Sequence, residues 1–569
     1  MHDLVIRDGS IVDGSGSAPW RGDVAIDGET ISVVAPQIVS GGRKEIDACG
    51  MVVAPGWVDI HTHYDGQATW DPYLTPSSWH GVTTVVMGNC GVGFAPARPD
   101  RRQWLIGLME GVEDIPGTAL AEGIRWSWES FPEYLDALEA MRRVVDIGTQ
   151  VPHGAVRAYV MGERGAKNEK ATEPDIEAMA QLVKEGIAAG ALGFTTSRTF
   201  LHRAIDGEPV PGTFAGEEEL LGIGRVLGEL GRGVFEVASD LAPEAAEFAW
   251  MEALAAQTGQ TITFALLQND GDPGQWRRML ALTEQAAAAG NKVIAQIAAR
   301  PTGVLLNLEG SSHPFLCHQT YRDIAHLPLA ERVERLRDPE LRQRLLAEQP
   351  HFPSAIAAFV MTAFHRMFPL GDPPDYEPTA DQSVAAIAER AGKPPAEIAL
   401  ELLLQREGKN LIYMPLLNYS ELSFEPIAEM LQHPNTVLSL SDGGAHCGVI
   451  CDAGTPTFLL THWARDRHRG ARLPLERLVQ RQTSETAALY GLNDRGVLAA
   501  GKLADVNIID FEQLRLLPPE LVFDLPAGGR RLIQKAEGYR VTIKSGTVTF
   551  ENGEPTGALP GKLIRGKAC

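Results

Sequence analysis

The chain has 569 residues and a formal net charge of −22, with 44% hydrophobic and 22% charged residues. That composition excludes wholesale disorder, and the acidic balance argues against nucleic acid as a partner, because phosphate binding wants a basic face. Six Cys scattered at 49, 90, 317, 447, 451 and 569 form no disulfide framework, and no run reaches the roughly 18 apolar residues of a spanning helix, so a cytoplasmic protein without a membrane partner is expected.

The first stretch, residues 1–54, reads as short β-rich runs (LVIRDGSIVD, DVAIDGETISVVA, KEIDACGMVVAP) separated by Gly and Asp turns. The middle then alternates. Strand-like runs are WVDIHTH, VTTVVMG, DIGTQVPH, ALGFTTS, GVFEVAS, TITFALLQ, KVIAQIA and TVLSLSD. Helical patterns such as FPEYLDALEAMRR, PDIEAMAQLVKEGIAAG, EEELLGIGRVLGELG, PEAAEFAWMEALAAQTG and GQWRRMLALTEQAAAAG lie between them. Alternation of this kind implies a parallel sheet, and eight near-continuous apolar strands imply a sheet covered on both faces. The predicted fold is α/β: a (β/α)8 TIM-like barrel. A long insertion, about residues 300–435, separates strands seven and eight; it carries charged helical stretches (LAERVERLRDPELRQRLLAEQ) and a Pro-rich turn, GDPPDYEP. The last 70 residues are β-rich again. Each end is too thin for its own core, so the two are expected to pair into one small β-sandwich domain formed by both termini, 1–54 plus 500–569, beside a barrel over 55–499. Cys569 ends the chain outside the position that prenylation requires.

In a parallel barrel, chemistry sits at the C-terminal ends of the strands. The first run ends in His61 and His63. Alternate residues of a strand face one side, so both imidazoles can point into the barrel mouth and hold a divalent metal. The second run ends in Asn89-Cys90-Gly91. Cys90 is a soft metal ligand or, alternatively, a buried structural thiol. The eighth ends in Asp442, followed by Gly443-Gly444 and by His446. An Asp there can ligate a metal and accept a proton from an attacking water; the alternative is a helix cap.

These residues carry a resemblance. DGSIVDGSGSAPWRGDVAIDGETI, VVAPGWVDIHTHYDG, GVTTVVMGNCGVG, PHGAVR, GALGFTTS, SDGGAH and GVLAAGKLADVNIIDF resemble the amidohydrolase superfamily, and within it the N-acyl-D-amino-acid deacylase (D-aminoacylase) group. The resemblance spans almost the whole chain apart from the insertion. It implies a metal-bearing barrel with His61, His63 and Cys90 as ligands. It also implies that Asp442 handles the proton of the water. One departure stands out. The family takes one His from strand five and one from strand six, whereas here those strands read VFEVASD and TFALLQND. Glu236, Ser239 and Asp240, then Gln268, Asn269 and Asp270, stand in their place. One zinc ion held by His61, His63, Cys90 and Asp442 is therefore expected rather than two.

Further candidates for contact with a small-molecule substrate are His153, Arg198, His202, Gln268 and His446; an Arg fork such as Arg198 matches a carboxylate. The expected reaction is hydrolysis of the amide C–N bond of a small N-acyl amino acid, in the D configuration, with Asp442 as general base. A cyclic amide, carbamate or deaminase substrate is the alternative among enzymes. A non-catalytic amidohydrolase-like binding or assembly subunit is the alternative outside them. A homo-oligomer is left open.

Overall fold

A computed structural model describes residues 1–566; Cys569 lies outside them. The eight barrel strands are Trp57–Asp59, Val82–Met87, Asp146–Thr149 continued by Val151–Pro152, Gly193–Arg198, Val234–Ser239, Thr261–Ala265, Val293–Ile297 and Thr436–Leu438. Every neighbouring pair is parallel. A bridge between Thr62 and Gly443 joins the first strand's exit to the eighth's. The strand residues are almost all buried, on both faces, which is why the runs read as continuous apolar sequence rather than alternation.

The outer helices begin where side chains can satisfy free amides. Thr172 accepts from the Asp175 N–H while the Asp175 carboxylate takes the Thr172 N–H, a capping box that starts Glu173–Ala189. Ser130 and Glu133 do the same for Phe131–Glu139. Gly56 separates the last N-terminal strand from the first barrel strand because a Cβ there would meet Thr83 at 2.2 Å.

Both ends of the chain enter one sheet, nine-stranded among the described residues. Its central pairing sets Val506–Ile509 antiparallel to Val52–Pro55, so the C-terminal segment is hydrogen-bonded to the strand that leads into the barrel. A buried charge network ties this sheet to barrel strand three: Lys544 Nζ stands 2.9 Å from Asp505 and 2.8 Å from Asp146, and Arg495 Nη1 is 2.7 Å from Asp146.

The insertion between strands seven and eight has its own apolar cluster around Leu306, Leu336, Leu400, Leu403 and Met414. Its three strands, Gly303–Leu306, Phe368–Pro369 and Ile412–Pro415, pair antiparallel. The charged stretch predicted as helical forms two helices, Leu329–Arg337 and Pro339–Ala347, since Pro339 ends one and Asp338 caps the next. Near the barrel the insertion is anchored by buried Arg300, paired with Asp452 at 2.8 Å and stacked over Tyr376.

Candidate active site

Past Asp59 the first strand continues as an extended exit. Thr62 turns away and donates to the Val86 carbonyl, so His61 and His63 point to the same side, their rings 5.3 Å apart. The eighth strand's exit is stitched to it: Asp442 N–H donates to the His61 carbonyl and His63 N–H to the Gly443 carbonyl. Gly443 and Gly444 permit this, because a Cβ at either would press on Tyr64 or on the His63 backbone. Asp442 Oδ1 is thereby placed 3.6 Å from His61 Nε2 and 3.8 Å from His63 Nε2. From the second strand, Cys90 brings its sulfur to 3.3 Å from His61 Nε2. His61, His63 and Cys90 each offer a donor atom within 4.8 Å of the others. Cys90, Asp442 and His446 all have positive φ (56°, 48° and 51°), a region non-glycine residues seldom occupy and one that clusters at functional sites.

Two further carboxyls face this cluster. Glu236, from the strand-five position, accepts the Cys90 N–H at 3.0 Å, and its Oε1 stands 4.0 Å from His61 Nδ1. Glu113, at the end of the helix Arg102–Glu113, brings Oε1 to 3.2 Å from His63 Nδ1. Behind His61, Gln296 of strand seven contacts Nδ1 through Oε1 at 2.9 Å. Burial governs the charge of all of them. It raises Asp442 to about 6 and Glu236 to about 7, and lifts Glu113 and the Cys90 thiol well above their ordinary ranges. It pushes His63 well below the usual histidine value.

The remaining candidates divide. His202 shares a hydrogen bond with Ser197 Oγ at 3.0 Å, and burial, with His446 and His61 as the next influences, lowers it to about 3. His446 lies 3.7 Å from Glu113 Oε2. His153 is not brought to the cluster: it is held between Thr196 (2.8 Å) and Glu219 (2.9 Å), beside Arg157, which also pairs with Glu219. Arg198 is engaged too, with both fork nitrogens on Glu247 at 2.6 and 3.0 Å. Gln268 Oε1 accepts the Ser420 N–H, its N–H donates to Asn418 Oδ1 and its carbonyl accepts the Asn418 N–H, which fastens the insertion's return to strand six. Sequence reasoning did not single out Glu113 or Gln296. A lone amide in the apolar run KVIAQIA, and an acid at a helix C-terminus against the dipole, were the available signals.

Residues 44–550 match the pattern of the amidohydrolase family. The chain belongs to that family. It is a hydrolase acting on carbon–nitrogen amide bonds. A protein of Mycobacterium tuberculosis described as uncharacterised is 28% identical to this amidohydrolase, over 97% of this chain and 92% of its own. The N-acyl-D-aspartate deacylase of Alcaligenes xylosoxydans xylosoxydans is 26% identical, over 99% of this chain and 95% of its own. The D-aminoacylase of that organism is 35% identical over 34% of this chain and 37% of its own. Among solved structures, a D-aminoacylase described as having a binuclear metal center superposes with a TM-score of 0.66 at 23% identity, covering 99% of this chain and all of its own. The N-acyl-D-glutamate deacylase of Bordetella bronchiseptica, complexed with zinc and a phosphonate inhibitor, superposes at 0.64 and 23% identity, covering 99% of both chains. These likenesses establish the barrel fold. Among the described residues, no helix of the amidohydrolase is long and apolar enough to cross a membrane.

Proposed function

We propose that this amidohydrolase removes the acyl group from small N-acyl-D-amino acids at a single zinc ion held by His61, His63, Cys90 and Asp442. The observation that carries the reading is the convergence of Cys90 Sγ and Asp442 Oδ1, from strands two and eight, on the Nε2 atom of His61. The donor set fits the ion. Two imidazoles, a thiol and a carboxyl meet the nitrogen, sulfur and oxygen preferences of zinc. Buried Glu236 Oε1 and Glu113 Oε2 also lack hydrogen-bond partners, so a cation here would offset the cost of ionising carboxyls that burial otherwise holds neutral. Strands five and six supply Glu236 and Gln268 where a second ion's His pair is expected, which favours one ion. The D-specific substrate class draws support from the N-acyl-D-aspartate deacylase and D-aminoacylase relatives.

When bound, zinc polarises the amide carbonyl and acidifies an attacking water. The chain supplies the rest. Asp442, 15% exposed at its side chain and so open to the mouth, accepts the proton of that water and returns it to the leaving amine. His61 and His63, at most 2% exposed, hold the ligand geometry in a site sealed from behind. In this reading His202 and His446, the latter 3.7 Å from Glu113, serve as substrate contacts. The alternative at this site is hydrolysis of a cyclic amide or carbamate, a class that the absent His pair of strands five and six leaves open.

Elemental measurement on purified protein, beside a chiral panel of N-acyl amino acids, separates the two. Zinc near one equivalent with D-selective carboxylate release supports the deacylase. A zinc-bearing protein that releases nothing from that panel supports the alternative.

A further inference from the structure

The helix Arg102–Glu113 follows the second barrel strand, and its last side chain enters the candidate site. Glu113 is 1% exposed. An acid at a helix C-terminus opposes the helix dipole, and a buried carboxyl loses its hydration, so this position is costly on both counts. Its contacts face the site. Oε1 stands 3.2 Å from Nδ1 of His63, Oε2 stands 3.7 Å from Nε2 of His446, and the main-chain carbonyl of Glu113 accepts the His446 N–H. Nδ1 of His63 has no other hydrogen-bond partner, so the Glu113 oxygen 3.2 Å away is the acceptor within its reach.

His61 is backed in a different way. Its Nδ1 meets Gln296 Oε1 at 2.9 Å, and the same oxygen accepts the Ser439 hydroxyl at 2.6 Å. One imidazole of the pair therefore leans on a neutral amide and the other on a carboxyl.

The neighbouring residue keeps Glu113 in place. Asp114 has φ 50°, and its Oδ2 accepts the Gly448 N–H at 3.0 Å and the Ser311 hydroxyl at 2.6 Å. The helix end is thus pinned to the loop after strand eight and to the beginning of the insertion. With its backbone fixed on that side, the Glu113 side chain is aimed at His63.

We infer that Glu113 is a positioning residue: its carboxylate accepts the Nδ1–H of His63 and so selects the tautomer whose Nε2 lone pair faces Asp442 and the cation. This rests on the metal reading of His61 and His63 given above. Imidazole ligands are usually oriented by a partner on the second ring nitrogen, and losing that partner typically weakens metal binding 10–100-fold.

The test is chelator competition for zinc on the full-length chain, with the visible absorption of the cobalt-loaded protein as a second readout. Glu113→Leu removes the acceptor and keeps most of the volume, which guards against the misfolding Glu113→Ala risks. Either is expected to bind zinc about 10–100-fold more weakly and to shift the cobalt bands. Glu113→Gln, whose amide oxygen can accept the same N–H, is expected to recover part of the affinity. In a His63→Ala background, Glu113→Leu is expected to cost nothing further. Wild-type zinc affinity and an unchanged cobalt spectrum in Glu113→Leu overturn the inference alone. So does an equal loss with or without His63, which assigns Glu113 to folding. A native protein that binds no zinc overturns the metal reading and this inference together.

Discussion

The Cys90 sulfur lies 3.3 Å from Nε2 of His61, although 29 residues separate the two and neither belongs to a helix or strand. The contact exists because barrel strands one and two are parallel neighbours whose exits turn inward together. Replacing His61 or His63 with Ala is expected to remove most of the zinc and the activity while leaving the circular dichroism spectrum nearly unchanged. Metal measurement on the purified variants decides it; full zinc content in either would exclude that residue as a ligand.

The proposed function gives Asp442 two roles that one substitution can separate. Asn keeps an oxygen ligand at the same position but cannot accept the proton. Asp442→Asn is expected to retain zinc and to lose about 10²–10⁴ in turnover, the usual size of a general-base contribution. Steady-state kinetics beside metal content reads both quantities, and normal turnover would rule out the proton role.

Zinc should stabilise the protein more at pH 8 than at pH 5. In the cation-free structure, burial raises Asp442 to about 6 and Asp59, Asp65 and Glu236 to about 7, against roughly 4 for carboxyls in an unfolded chain. Between those values these four carboxyls bind more protons in the folded state than in the unfolded one, so their contribution to stability without a cation falls as pH rises from roughly 4 to 7. A cation that favours the ionised forms reverses the loss, and its binding releases protons. Calorimetry of chelator-treated and zinc-loaded protein across this range measures the difference. A zinc-induced rise in Tm that is the same at both pH values would contradict the charge assignment.

Glu219 pairs with two buried side chains, the guanidinium of Arg157 at 2.7 Å and the ring of His153 at 2.9 Å. Removing one partner of a buried pair leaves the other uncompensated, at a cost of about 3–5 kcal/mol. Glu219→Ala is expected to lower stability by that order in urea unfolding while zinc affinity remains native. Weakened zinc binding in the folded variant would connect His153 to the metal site after all.

Much of the barrel is legible in the sequence because a sheet covered on both faces leaves continuous apolar runs, and the side chains of the candidate site follow directly where those runs stop. His61, His63, Cys90 and Asp442 were readable for that reason. Glu113 was not. It ends a helix, the Arg102–Glu113 segment, that the sequence reading did not identify, so the one signal it carries, an acid at a helix C-terminus, could not be read. Arg198 reads in sequence as a free fork for a carboxylate, yet the fold gives it Glu247, a residue 49 positions away.

Sequence alone determined the alternation of strand and helix, the residue types at the strand exits and the absence of His from strands five and six, since each is a property of neighbours along the chain. Only the tertiary structure decided which buried carboxyls face the imidazoles and which charged groups already have partners. Those relations depend on the curvature of a closed barrel and on the pinning of loops from distant segments, and burial then sets the charge that each group can carry.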